Sequence, residues 1–153
     1  MSRPIIIIGP PGAGKTTLAK KMMREGDVII DQDAIFKALT MVPNKHAALL
    51  PFINRMTAML RSEALLGVKG MVIVVTTKWS MVRDMASHSP RVIVLAPQPS
   101  ICASRNSNRG GYLKNEIIMD WWKQAGPHPI TPDRVNFLTG VSIANTGRLE
   151  IKS

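Results

Sequence analysis

The chain opens with an unbroken apolar run over residues 4–8 that ends at Gly9. β-Branched side chains without polar alternation predict a strand covered on both faces, as in a parallel sheet. The period then changes. Over residues 16–24, Leu18, Ala19, Met22 and Met23 fall on one side and Lys20, Lys21 and Arg24 elsewhere, which predicts a helix ended by Gly26. Residues 28–30 predict a second short buried strand, and 33–39 a short helix. Pro51 suits the first turn of a longer helix over 51–66, with Phe52, Ile53, Met56, Met59, Leu60 and Ala64 at helical spacing and Gly67 as its stop. Strands are expected over 71–75 and 91–95, with a helix over 80–86 between them.

Beyond the fourth strand, helices are expected over 99–107 and 113–125, broken by Gly110-Gly111 and closed by Gly126-Pro127. Ile117, Ile118, Trp121 and Trp122 form the apolar side of the second. The tail, 127–153, with Pro129, Pro132 and then residues 141–144, is expected to hold a last helix and an edge strand. Strand alternates with helix four times, so the fold class is α/β: one domain over 1–153 with a mostly parallel sheet flanked by helices. There is no internal repeat and no linker.

Composition narrows the class. The 153 residues are 45% hydrophobic and 20% charged, the balance of a folded globular chain rather than a disordered one. No apolar run approaches the roughly 20 residues of a membrane span, and residues 5–8 pass straight into a glycine-rich loop instead of a signal-peptide core. One cysteine, Cys102, fits a reducing, cytoplasmic setting. His46, His88 and His128 have no zinc-site spacing. Twenty Lys and Arg against ten Asp and Glu leave +10, which favours polyanionic partners such as nucleic acid or nucleotides. No acidic side chain occurs from Met85 to Asn115, a stretch that holds Arg91, Arg105, Arg109 and Lys114.

The chemistry sits in Gly9-Pro10-Pro11-Gly12-Ala13-Gly14-Lys15-Thr16, which satisfies G-x-x-x-x-G-K-[ST] at every constrained position. Glycines let such a loop wrap closely, so that backbone N–H groups face phosphates. The helix that follows adds its positive end. Lys15 is placed to reach the β- and γ-phosphates, and the Thr16 hydroxyl to ligate Mg²⁺. Gly9, Gly12, Ala13, Gly14, Lys15, Thr16 and Thr17 are therefore the expected nucleotide-binding residues. A buried strand before the loop and a helix after it complete the context of a phosphate-binding loop (P-loop) NTPase.

Asp31 and Asp33 follow the second strand. In a parallel α/β sheet the C-terminal strand ends line the ligand crevice, so these carboxylates are expected beside Lys15. Asp33 is the expected general base and Asp31 the helper that holds Mg²⁺. The competing assignment makes Asp33 the N-cap of a helix starting at Ala34. Arg105 and Arg109, four apart and followed by Gly110-Gly111, form a candidate lid over about 105–114 that stabilises transferring phosphoryl charge. Two solvated arginines at a helix end would look the same.

GPPGAGKTT, DQD after the second strand and ASRNSNRG in the lid position together resemble the small P-loop kinases and the AAA-type ATPase-fold group. The nearest resemblance is to the bacteriophage polynucleotide 5′-kinase domain and phage-type small P-loop NTPases. It implies a nucleotide-kinase-like fold with a lid, and ATP- and Mg²⁺-dependent phosphoryl transfer to a hydroxyl, with a 5′-hydroxyl nucleic acid as favoured acceptor. Lys15 and Thr16 then bind ATP and Mg²⁺, Asp33 is the base, and Arg105 and Arg109 engage the phosphates. The chain departs from that family in two places. An Arg used on the nucleic acid is replaced by Phe36, with Lys37 as nearest cation. An Asp that often ends the third strand is replaced by Thr76-Thr77-Lys78. A nucleic-acid-associated ATPase without a phosphorylated product, or a small-metabolite kinase, are the other readings. Trp79 is a candidate to line the acceptor side. Trp121 or Trp122 could stack on a base. Cys102 and the ten methionines are expected to pack in the core.

Overall fold

The computed structural model describes residues 3–11, 13–41 and 47–95, and the backbone of 148–152. Four parallel strands form its centre: β1 (Ile5–Ile8), β2 (Val28–Asp31), β3 (Val72–Thr76) and β4 (Arg91–Leu95). They lie in the order β2-β3-β1-β4, and β5 (Arg148–Lys152) adds an antiparallel edge against β4. The mostly parallel α/β sheet expected from the alternation is thus present. Residues 141–144 lie outside the described residues, and the edge strand expected in the tail is β5. Its sequence, Arg148-Leu149-Glu150-Ile151-Lys152, alternates polar and apolar positions, as suits a sheet edge.

Both faces of the parallel sheet are covered, which is why its strands are apolar apart from Asp31, Thr76 and Arg91 at their ends. On one face Ile5, Ile7, Ile73, Val75, Ile93 and Leu95 pack with Ala13, Ala19, Leu18 and Met22 of the loop and helix after β1. On the other, Ile6, Ile8, Ile30, Val72, Val74, Val92 and Val94 pack with Ala64, Trp79 and Met85. The helices are α1 (Lys15–Met22), α2 (Gln32–Thr40), α3 (Leu50–Gly67) and the short α4 (Ser80–Asp84). The helix expected over 80–86 stops at Asp84 and passes into a 3-10 turn, Ala86–His88, closed by Ser89 in the left-handed region at φ 47°.

α3 corrects one expectation from periodicity. Ile53 and Ala64 are buried, but Phe52, Met59 and Leu60 are exposed, at 48%, 53% and 42%. Apolar residues recur on more than one side of this helix, so spacing alone could not select the buried face. α2 packs against α3, with Phe36 and Ile53 each about 1% exposed. A hydrogen bond from the Gln32 side-chain NH₂ to the Asn54 side-chain oxygen joins the same two helices. Trp79 is a second correction. It is 6% exposed and belongs to the core under β3, not to an open acceptor surface.

The strand ends are level. Ile8 of β1 pairs with Thr76 of β3 and with Val94 of β4, while Asp31 of β2 pairs with Val75. The loop after β1 and the starts of α1 and α2 therefore emerge on one edge. The helices expected over 99–107 and 113–125, Cys102, Trp121, Trp122 and the lid lie outside the described residues. Among the described residues, no helix is long and apolar enough to cross a membrane.

Candidate nucleotide site

The loop after β1 begins at a position that admits no side chain. A Cβ on Gly9 would stand 2.5 Å from the Leu95 carbonyl oxygen and 3.1 Å from the Ala13 Cβ. Glycine at this position is what lets the loop leave the sheet between β1 and β4. The Gly9 N–H donates to the Thr76 carbonyl at 3.3 Å, and the Ala13 N–H to the Pro10 carbonyl at 3.1 Å. Pro10 and Pro11 have no N–H to offer. Gly14 then takes φ 90° as the N-cap of α1, a left-handed conformation that costs other residues about 1–2 kcal/mol.

α1 starts at Lys15, and its first turn contains no acidic side chain. The first turn of a helix directs its N–H groups outward along the axis, where they and the helix dipole attract an anion. Here Lys15, Thr16 and Thr17 supply those groups, and nothing acidic nearby in α1 offsets the positive end. The Lys15 ammonium donates to the Pro10 carbonyl at 2.8 Å, so it lies across the loop it serves. Ala13 is buried beneath the loop, and Thr17 is exposed on the helix. Gly12 lies outside the described residues.

Asp31 joins this loop to the next helix. It ends β2, is only 8% exposed, and uses both carboxylate oxygens. Oδ2 accepts from the Thr16 hydroxyl at 2.8 Å, and Oδ1 accepts from the backbone N–H of Asp33 at 3.0 Å. The second bond makes Asp31 the N-cap of α2. This corrects the competing assignment for Asp33. Asp33 is inside the first turn, exposed, and does not cap the helix. Two aspartates two residues apart offer two possible helix starts, and local sequence cannot choose between them.

Phe36 and Thr76 occupy the two positions where the chain departs from the kinase resemblance. Phe36 is buried, on the helix that packs against α3. The Thr76 side chain accepts from the Lys78 backbone N–H at 3.0 Å, so it shapes the turn that leaves β3. Lys37 and Lys78 are exposed. Among the described residues no three His, Cys, Asp or Glu side chains gather into a metal cluster. Sequence reasoning did not single out the Pro10 carbonyl, Gln32 or Asn54. A backbone acceptor leaves no trace in residue types, and a lone Gln–Asn pair has no motif. Arg105 and Arg109 lie outside the described residues, so they are not placed beside Lys15 or Asp33.

Residues 5–125 match the AAA domain. The chain belongs to the AAA domain family. The match covers the phosphate loop, both aspartates and the region expected to carry the lid. A search of curated proteins found no match. Among solved structures, this AAA domain is similar to a chain in the Pnkp1/Rnl/Hen1 RNA repair complex, with a TM-score of 0.61 and 17% identity. The similarity covers 99% of this chain and 49% of that one, so the AAA domain spans about half the length of its structural relative. At that identity the likeness is one of fold. Sheet order, phosphate loop and family together define a P-loop NTPase-type nucleotide-binding fold.

Proposed function

We propose that residues 1–153 act as an ATP- and Mg²⁺-dependent phosphotransferase, with a 5′-hydroxyl nucleic acid as the favoured acceptor. The observation that carries this reading is the hydrogen bond from Thr16 to Asp31. Through it, one buried carboxylate connects the phosphate loop to the helix turn that bears Asp33. A nucleotide-binding loop and a solvent-facing carboxylate on the same sheet edge are the parts a kinase needs. The solved relative comes from an RNA repair complex, and the chain carries +10; both support a nucleic-acid acceptor. The resemblance to phage-type kinases supports the same chemistry. The single cysteine fits a cytoplasmic setting.

Thr16 offers a hard oxygen donor, the type Mg²⁺ takes, and Asp31, bonded to that hydroxyl, would hold the ion through water. Bound there, the ion would neutralise charge on the β- and γ-phosphate oxygens. The loop amides and Lys15 hold the triphosphate, with the Lys15 ammonium moving from the Pro10 carbonyl to a phosphate oxygen. Asp33 accepts the proton of the acceptor hydroxyl as that oxygen bonds to the γ-phosphorus. The bond to the bridging oxygen breaks, and ADP leaves. Arg105 and Arg109 are assigned to the lid by resemblance, where they would balance charge on the moving phosphoryl group.

The test is a Mg²⁺ reaction with γ-labelled ATP and a 5′-hydroxyl oligonucleotide. Label is expected on the oligonucleotide, and none with Lys15→Ala. An unlabelled oligonucleotide beside free labelled phosphate would replace this reading with that of an ATPase lacking a phosphorylated product. Buried Phe36 and the turn-forming Thr76 favour that second reading. Such an ATPase should turn over faster with DNA or RNA present, with binding that weakens steeply in salt. Label on a small metabolite in preference to the oligonucleotide would indicate a metabolite kinase.

A further inference from the structure

We infer that Asp31 is a positioning residue that sets the proton of Thr16 and the backbone of Asp33 with one carboxylate. The inference deepens the proposed function and, in its cation part, rests on that reading. The geometry begins with a hydroxyl. A threonine oxygen has one proton to give and two lone pairs. An ionised carboxylate can only accept, so the 2.8 Å contact with Asp31 Oδ2 fixes the direction of the Thr16 proton. With the proton committed to Asp31, the lone pairs point elsewhere and stay available to a hard cation.

The other oxygen does different work. Oδ1 takes the backbone N–H of Asp33 at 3.0 Å and so starts α2 at Gln32. This sets where the Asp33 side chain leaves the helix. Because Asp31 is 8% exposed at the end of a paired strand, it has little room to serve the two partners one at a time. The position of the phosphate-loop hydroxyl and the start of the helix bearing the base are therefore fixed by the same group.

Asparagine separates the two jobs. It caps helices about as well as aspartate, so Asp31→Asn keeps the bond to the Asp33 N–H. Its other terminal atom is an NH₂, which faces Thr16 as a donor and occupies a lone pair the cation needs. Alanine removes both jobs. The inference predicts that Asp31→Asn keeps Tm close to wild type but raises the Mg²⁺ concentration for half-maximal ATP binding about tenfold, in the range seen for partners of metal ligands. Asp33→Asn should leave that concentration unchanged. Asp31→Ala should lower Tm as well.

The experiment has two arms. In the first, ATP binding to the full chain is titrated with Mg²⁺ for wild type, Asp31→Asn and Asp33→Asn. An unchanged Mg²⁺ dependence in Asp31→Asn overturns the inference. In the second, Tm is measured without nucleotide for Thr16→Val, Asp31→Ala and the double variant. The Thr16–Asp31 link predicts that Thr16→Val costs less Tm once residue 31 is alanine. Additive losses overturn the link whatever the first arm shows. A wild type that binds no ATP at any Mg²⁺ concentration, with non-additive Tm losses, overturns the proposed function and supports the link.

Discussion

Two aspartates stand at the two ends of β2, and each accepts two hydrogen bonds, yet they do different things. Asp27, at the entry, accepts the backbone N–H of Arg24 at 2.8 Å and of Met71 at 2.8 Å. Both bonds tie chain to chain: the turn after α1 to itself, and the start of β2 to the approach to β3. Asp31, at the exit, accepts one backbone N–H and one side-chain hydroxyl, and that hydroxyl belongs to the phosphate loop. The entry is closed by close contacts. Gly26 is left-handed at φ 89°, and a Cβ on Gly70 would fall 2.3 Å from the Gly26 carbonyl oxygen and 2.7 Å from Asp27 Oδ1. The exit carries an exposed carboxylate, Asp33, and a helix N-terminus with no acid in its first turn. The same residue type thus ties chain to chain at one edge of the sheet and meets the phosphate loop at the other. What decides between them is the partner, not the aspartate.

The sharpest way to break this comparison is at Gly70. Gly70→Ala forces backbone to move at the entry and should cost about 3 kcal/mol in urea unfolding, while the folded fraction binds ATP as wild type does. Weakened ATP binding in that fraction would show that the two edges are coupled. Next, Asp31→Ala removes a helix cap and should cost about 1 kcal/mol in the same unfolding measurement.

The smallest effect is the pH dependence of the entry. Bonds from the Met71 and then the Arg24 N–H groups, with the Arg24 charge in support, hold the Asp27 carboxyl below its ordinary range; burial opposes them. A depressed carboxylate contributes stability that is fully present above the unfolded-state pKa and lost as pH falls through the folded one. The gap in urea midpoint between wild type and Asp27→Asn should therefore hold from neutral pH down to the ordinary carboxylate range, then shrink on further acidification. A gap that widened in acid would reverse the role given to Asp27.

The strands were legible because a sheet covered on both faces demands continuous β-branched runs, and Ile5–Ile8 and Val72–Thr76 supply them. The phosphate loop was legible because its chemistry constrains four positions at fixed spacing. The exit of β2 was half legible. Asp31-Gln32-Asp33 announces carboxylates at a strand end, but which one caps depends on a helix start that sequence places only to within about two residues. The entry was not legible at all. Asp27 and Gly70 matter through a contact between segments 44 residues apart, and no local pattern records it. Trp79 failed for a related reason: its neighbours Thr77 and Lys78 are exposed, while the ring itself turns into the core under β3.

The central claim is that the exit of β2 carries a base that acts on an acceptor, separate from the loop that binds the nucleotide. The most direct test measures ATP affinity and oligonucleotide labelling in the same preparations of wild type and Asp33→Asn. The account predicts ATP affinity within about twofold of wild type and labelling reduced by two to four orders of magnitude, the usual span for loss of a general base. Normal labelling by Asp33→Asn would contradict it and would move the base away from α2.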